Sequence, residues 1–294
     1  MRLRVLHRTT YEYDDPVTTS HHEVHLTPRD LPSQTCLFHA LHVRPEPEAM
    51  RERVDFFDNR VRYFGIHEAH RFLEIVSESE VRVEGRPASL ILDRTAWESV
   101  RDIVALHRNP ESLEAYSFVF DSPYVRPQPE LRAFASPSFA PGRPLVDAAM
   151  DLTRRIYAGF VYERGVTGVS TPLSEVLRDR RGVCQDFAHV AIGCLRAMGL
   201  PARYVSGYLL TSPPPGRPRL VGCDASHAWV STYSPNVGWI DLDPSNGMMA
   251  DERHVVVAHG RDFGDVTPVR GVILGGGHHA LRVAVDVAPI EHEA

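Results

Sequence analysis

Three residue types that together can cleave or transfer an acyl group occur in order along the second half of the chain. They are Cys184 in GVCQDFAH, His227 in SHAWV and Asp243 in GWIDLDPSNG. Cys184 stands at the first turn of a helical pattern. Phe187, Val190, Ala191, Cys194 and Met198 recur at the spacing of one buried face, and Gly199-Leu200-Pro201 ends the run. Backbone N–H groups at a helix start favour a thiolate, and they can also donate to an oxyanion formed on a carbonyl that the sulfur attacks. Position alone leaves a structural thiol open as the alternative. Cys194, mid-helix on the apolar face, reads as core.

A nucleophilic cysteine needs a base, and the base needs an orienting group. SHAWVSTY and GWIDLD read as strands flanking SPNVG, a turn sequence with Pro second and Asn third. A turn centred at Pro235 or Asn236 sets His227 opposite Asp243 or a residue up to two positions beyond it. Asp241 would require a centre at Ser234, leaving Pro235 nearer a ladder position that its missing N–H does not suit. Asp243 precedes Pro244, where the ladder must stop, and is the favoured partner, with Asp241 held in reserve. Directly opposed Cβ atoms lie about 5 Å apart, within reach of a carboxylate–imidazole hydrogen bond.

Other residues near these motifs carry a functional and a structural reading. Gln185 could shape an acyl pocket, and Asp186 is expected to cap the helix. His189 lies five positions past Cys184, around the helix from it, and is a poor base. Tyr204 and Tyr208 read as packing, Trp229 and Trp239 as walls of the sheet, and the SPPPGRPRLVG loop as a rim of a substrate groove. No metal site is expected. His21, His22 and His25 and the pair His278 and His279 lack the spacing of a ligand set, and Cys223, four residues before His227, is set aside because it falls in an expected loop.

The elements that must position these groups fall into three stretches. Residues 1–92 alternate apolar and polar in short runs with Pro and Asp-Asn breaks, which predicts antiparallel strands in a sandwich-like β domain. Residues 93–144 read as a linker with short helices and Pro-rich turns, and residues 145–294 as a catalytic core of α+β class. Within the core, helical spacing begins after Pro144, LSEVLRDR reads as a short helix, and ARYVSGYLL as a strand. GVILGGGHHALRVAVDV reads as strand, glycine turn, strand.

Composition narrows the function classes. The chain has 294 residues, 43% hydrophobic and 24% charged, with a net charge of -6. The fold is globular, and the absence of a dense basic run argues against a nucleic-acid partner. All 32 basic residues counted as Lys or Arg are Arg, spread along the chain, which reads as codon bias. Four cysteines without CxxC spacing suggest reduced thiols. The start lacks a signal-peptide h-region, and no stretch reaches the roughly 18 apolar residues of a membrane span. The expectation is a cytoplasmic protein with no membrane partner and no cofactor, since motifs for calcium, nucleotide or flavin are missing.

GVCQDFAH, ARYVSGY, SHAWV and GWIDLDPSNG, in that order, resemble the transglutaminase core of bacterial transglutaminase-like proteins of the cysteine-protease type. The resemblance covers roughly residues 145–250, and residues 1–90 resemble the β-rich domain that precedes this core in bacteria. It implies a papain-like core with the cysteine helix packed on an antiparallel sheet. It also implies Cys184 as nucleophile, His227 as base and Asp243 as orienting carboxylate. Tyr162, in FVYERG, is the candidate second oxyanion donor. Asp-Pro-Ser stands where the family has Asp-Pro-Thr, which leaves the carboxylate in place. The expected reaction is thioester-mediated acyl transfer from a peptide or protein amide, with hydrolysis favoured over transfer to an amine. A binding module with a silent core is the rival.

Overall fold

The computed structural model describes residues 1–85, 92–211 and 226–290. Cys223 and the SPPPGRPRLVG loop lie outside the described residues. Fourteen strands and six α-helices are formed among the described residues, in an α+β arrangement of a β-rich sheet followed by a mixed core.

The β-rich part is built on one strand. β1 (Arg2–Val24) alternates inward and outward residues over most of its length, so that Leu3, Val5 and Val17 are buried. One of its edges pairs with β5 (His70–Val83) and, further on, β4 (Arg60–Ile66). β2 (Gln34–Arg44) adds to β5, and β3 (Met50–Val54) adds to β4. The other edge pairs with β14 (His279–Pro289) and then β13 (Val269–Gly275). The result is a single curled antiparallel sheet.

Two expectations about boundaries change here. Asp14-Asp15-Pro16 is not a break, because β1 runs through it with a register shift between Glu12 and Val17. Pro16 has no N–H to give a ladder, and a bulge accommodates that. The neighbouring amides are satisfied by the β13–β14 turn, with Asp14 and Asp15 donating to the carbonyls of His278 and Gly276 at 3.0 and 3.1 Å. That turn consists of Gly275, Gly276 and Gly277 at φ +90°, +90° and +62°, a left-handed run suited to glycine. The second change concerns the C-terminus. β13 and β14, which fall within the core expected over residues 145–294, complete the N-terminal sheet instead, because β1 supplies their hydrogen-bonding edge.

The core joins three layers of contacts around one apolar cluster. α1 (Trp97–Leu106), α2 (Pro110–Ser117) and α3 (Pro129–Ala135) contribute Trp97, Val104, Ala115 and Leu131 to it. Residues 93–144 are therefore part of the core rather than a linker. α4 (Leu145–Gly159) and α5 (Leu173–Asp179) follow the helical spacing of the sequence. α6 (Cys184–Ala197) is buried on all sides from Asp186 to Leu195, not on one face. Its apolar and small residues all around suit a central helix. It packs on an antiparallel sheet ordered β11 (Met248–Met249), β10 (Gly238–Asp243), β9 (Ser226–Ser234), β8 (Ala202–Leu209) and β12 (His254–Gly260). Among the described residues no helix is long and apolar enough to cross a membrane.

The two parts share one apolar cluster, in which Leu3, Val5, Val285 and Val287 of the curled sheet meet the core residues. A carboxylate placed at Val287, which has 0% exposure, is buried without a partner. Val287→Asp is expected to destabilise the protein by several kcal/mol (about 3 or more). The readout is the thermal melting temperature, and an unchanged value would mean that β14 does not seal this seam.

Candidate active site

Cys184 is the first residue of α6, and the chain reaches it through a short parallel pair. β6 (Val161–Tyr162) lies beside β7 (Arg181–Gly182), with Tyr162 in register with Gly182. Asp186 then folds back over the helix start. Its Oδ2 accepts from the Val183 N–H at 2.8 Å and from the Thr167 hydroxyl at 2.7 Å. This is the capping role expected from the sequence. Gly182 permits it, because a Cβ there would sit 2.5 Å from Asp186 Oδ2. The first intrahelical bond is Phe187 N–H to Val183 O at 3.1 Å, so the N–H groups of residues 184–186 have no carbonyl partner within the helix.

Two further sequence candidates sit around the thiol. Tyr162 is half-exposed, meets Phe187 edge-on at 6.1 Å, and lies near enough to Cys184 for the two groups to act on each other electrostatically. Burial, reinforced by Cys184, pushes its phenol up, so the hydroxyl keeps its proton as a donor. Gln185 has the Val169 carbonyl as its polar neighbour, 3.5 Å from Nε2, rather than the sulfur. Burial raises the pKa of both Cys36 and Cys194.

The β9–β10 hairpin is centred on Asn236, with Ser234 paired to Gly238 and Val230 to Leu242. The ladder stops there, and Asp243 approaches His227 diagonally rather than from the directly opposed position. Its Oδ2 accepts from His227 Nε2 at 2.7 Å. With Nε2 engaged, Nδ1 is the remaining ring nitrogen, and Cys184 lies near enough to favour the charged ring electrostatically. Asp241, the reserve candidate, instead lies in the field of the buried Arg203 guanidinium.

Asp243 is 0% exposed and is surrounded by donors. Beyond His227, Oδ1 accepts from the Ser245 and Asn246 N–H groups at 2.9 and 3.2 Å, and Oδ2 accepts from Asn246 Nδ2 at 2.7 Å. Burial alone would raise its pKa, but the hydrogen bonds, led by His227 and His254, hold it well below the usual carboxylate range. For His227 burial favours the neutral ring, and the interactions with Asp243 and Cys184 overcome that, taking it from 6.5 up to about 10.

His254 is the partner that sequence reasoning missed. It opens β12, and its Nε2 lies 3.2 Å from the same Asp243 Oδ2 that His227 holds. Its Nδ1 lies 3.0 Å from the Asp251 backbone N and 3.1 Å from the Asp251 carboxylate. The available signal was a single polar residue at the head of the apolar strand HVVVAHG. His227, Asp243 and His254 bring their ligand-type atoms within 4.8 Å of one another, and the hydrogen bonds to Oδ2 account for that clustering. Trp229, fully buried, packs against both rings at 6.0 and 5.3 Å, in keeping with its expected place as a wall. Gly207 pairs with His227 across the β8–β9 ladder. A Cβ at Gly207 would come 2.6 Å from the Trp229 ring and 2.1 Å from the Val255 carbonyl oxygen.

The remaining candidates have structural partners. His189 accepts from the Phe263 N–H at 3.1 Å and is driven to about 4 by burial. Tyr204 and Tyr208 are buried in the core, and Arg203 stacks 3.9 Å over Trp239. His21 bonds the Tyr63 hydroxyl at 2.7 Å, and His25 lies 3.1 Å from the Thr267 carbonyl.

Residues 3–82 match the bacterial transglutaminase-like N-terminal region, and residues 132–244 match the transglutaminase-like superfamily. An uncharacterized protein of Mycobacterium tuberculosis is 44% identical over 301 residues, covering 100% of this chain and 94% of its own. A protein-glutamine gamma-glutamyltransferase of Pseudomonas aeruginosa is 40% identical over 67 residues, 22% of this chain and 10% of its own. The crystal structure of a candidate cysteine protease from Cytophaga hutchinsonii superposes with a TM-score of 0.78 at 20% identity. It covers 100% of this chain and 92% of its own.

The raised His227 and the depressed Asp243 set a pH window for the stability they contribute. The His227 share is complete below its ordinary 6.5 and is lost as pH rises through about 10. The Asp243 share is complete above its ordinary 3.8 and is lost as pH falls below that value. Asp243→Ala removes the carboxylate oxygen that two buried histidines share and is expected to cost about 3 kcal/mol. Denaturant melts of wild type and variant between those limits measure the loss, and equal midpoints would contradict it.

Proposed function

The chain belongs to the transglutaminase-like superfamily, and on that footing we propose that it is a cysteine-nucleophile enzyme that transfers the acyl group of peptide or protein amides. The observation that carries this reading is the single imidazole of His227, bonded to the Asp243 carboxylate at 2.7 Å and near enough to Cys184 for that group to act on its charge. Cys184 at a helix start with unpaired N–H groups is the nucleophile. His227 is the acid–base group, and Asp243 keeps it oriented and stabilises its charged form.

In the reaction the Cys184 thiolate attacks the amide carbonyl carbon, and the C=O π electrons move to oxygen. The developing oxyanion takes hydrogen bonds from the N–H groups at the start of α6 and from the Tyr162 hydroxyl. The C–N bond then breaks, and the leaving amine takes the proton from His227 Nδ1, leaving a thioester on Cys184. Water or an amine attacks the thioester while His227 removes its proton, and the thiolate departs. Asp243 stays ionised throughout, as its five donors require.

Water is the favoured acceptor, so the reaction is hydrolysis. The fold neighbour from Cytophaga hutchinsonii supports this by its description as a cysteine protease, while the Pseudomonas relative supports transfer to an amine by its name. His254 acts as a positioning residue that holds the same Asp243 oxygen as His227 does.

Two experiments test the proposal. Iodoacetamide near neutral pH is expected to label Cys184 ahead of Cys36, Cys194 and Cys223, and His227→Ala is expected to slow that labelling by about tenfold or more. Faster reaction at any of the other three would overturn the nucleophile assignment. A panel of peptide amides, each with and without a primary amine, is expected to give amide hydrolysis. For the active substrates kcat/KM should fall as pH rises through about 10, where His227 loses its proton. Amine incorporation in place of hydrolysis would select transglutamination, and the absence of any turnover by folded protein would reject the enzyme reading.

A further inference from the structure

One face of the curled sheet passes from buried to open beside the active site. The alternate residues of β14 on that face are Val287, Val285, Val283 and Leu281, with exposures of 0%, 1%, 50% and 52%. Their partners on β1 are Val5, His7, Thr9 and Tyr11. The core covers the first two pairs. At the last two it draws away and leaves a cavity of about 810 Å³, within the usual range for ligand sites. Val283, Leu281, Thr9 and Tyr11 form one wall. Gln185 and Ser226, the chain neighbours of Cys184 and His227, also line the cavity, which brings it next to the segments that carry the nucleophile and the base.

The chemistry of the wall indicates what it takes. Its polar groups at the inner end are already paired with each other. His7 lies 2.9 Å by Nε2 from the Thr9 hydroxyl and 3.0 Å by Nδ1 from the Tyr208 hydroxyl. Burial drives His7 to about 4, so it is neutral and supplies no charge. Asp262, Asp265 and Arg270 also line the cavity, and the sheet wall presents apolar surface on Leu281 and Val283, continuous with a stripe that is elsewhere buried. We propose that this cavity is a subsite for a large apolar side chain of the acyl-donating peptide, and that the N-terminal sheet contributes one wall of the substrate cleft. The inference rests on the acyl-transfer reading of Cys184 for its substrate class.

The test compares two peptidyl chloromethyl ketones that differ only in bearing Phe or Ala beside the ketone. These reagents alkylate a reactive thiol whether or not the enzyme turns over amides. Wild type is expected to be inactivated by the Phe reagent at least about tenfold faster. The double variant Leu281→Ser/Val283→Ser should bring the two rates together, while the rate with iodoacetamide, which carries no side chain, reports on the thiol itself. Val283→Thr, close to isosteric, should reduce the preference in the same direction without disturbing the fold. Calorimetry with the matching Phe and Ala peptide amides on Cys184→Ala repeats the comparison without thiol chemistry. Equal affinity for the two peptides, or a preference retained by the double variant, would overturn the subsite. Failure of iodoacetamide to label Cys184, with the peptide preference intact, would overturn the catalytic reading alone.

Discussion

A carboxylate with no exposed surface holds this site together. Asp243 can stay ionised in the interior only because several donors converge on it, two of them histidine rings on the same oxygen. That requirement reaches outward. His227 must sit where β9 leaves its ladder with β10, and His254 must open β12 on the far edge of the sheet. Pro244 must end β10 so that the Ser245 and Asn246 amides can turn back onto the carboxylate. The antiparallel sheet is in this sense the support for one buried charge, and the imidazole it orients is the group that meets the thiol.

The cysteine side of the site is built differently, from backbone and from glycine. Gly182 lets Asp186 fold over the start of α6, and the parallel pairing of β6 with β7 brings Tyr162 alongside Cys184. Burying α6 on every side holds the sulfur still, which matters because the reach of a hydrogen bond leaves little tolerance for drift. Gly207 plays the matching part beneath His227, making room for Trp229 to close off the floor. The two halves of the site are thus rigid for different reasons, packing on one side and charge satisfaction on the other.

Pairing of the chain's two ends in one sheet gives the N-terminal region a place in the same structure. Because β13 and β14 return to β1, the curled sheet is anchored by both termini and presses one apolar face against the core. Its far end lines a cavity that Gln185 and Ser226 also line.

Local chemistry determined a large part of this from sequence alone. The helix beginning at Cys184 followed from apolar spacing and a glycine–proline stop, and the cap at Asp186 from its distance to the helix start. The hairpin carrying His227 and Asp243 followed from a turn that tolerates Pro and Asn at its centre, which is a matter of backbone dihedrals within a few residues. What the chain alone could not disclose depends on pairings across long separations. His254 reaches Asp243 only because β12 lies in the same sheet, the last strands join β1 across the whole chain, and β1 continues through Pro16 because a distant glycine turn satisfies its amides. Those contacts are chosen by the burial of charge and apolar surface in the assembled fold, a balance summed over the whole chain that no short stretch of sequence carries.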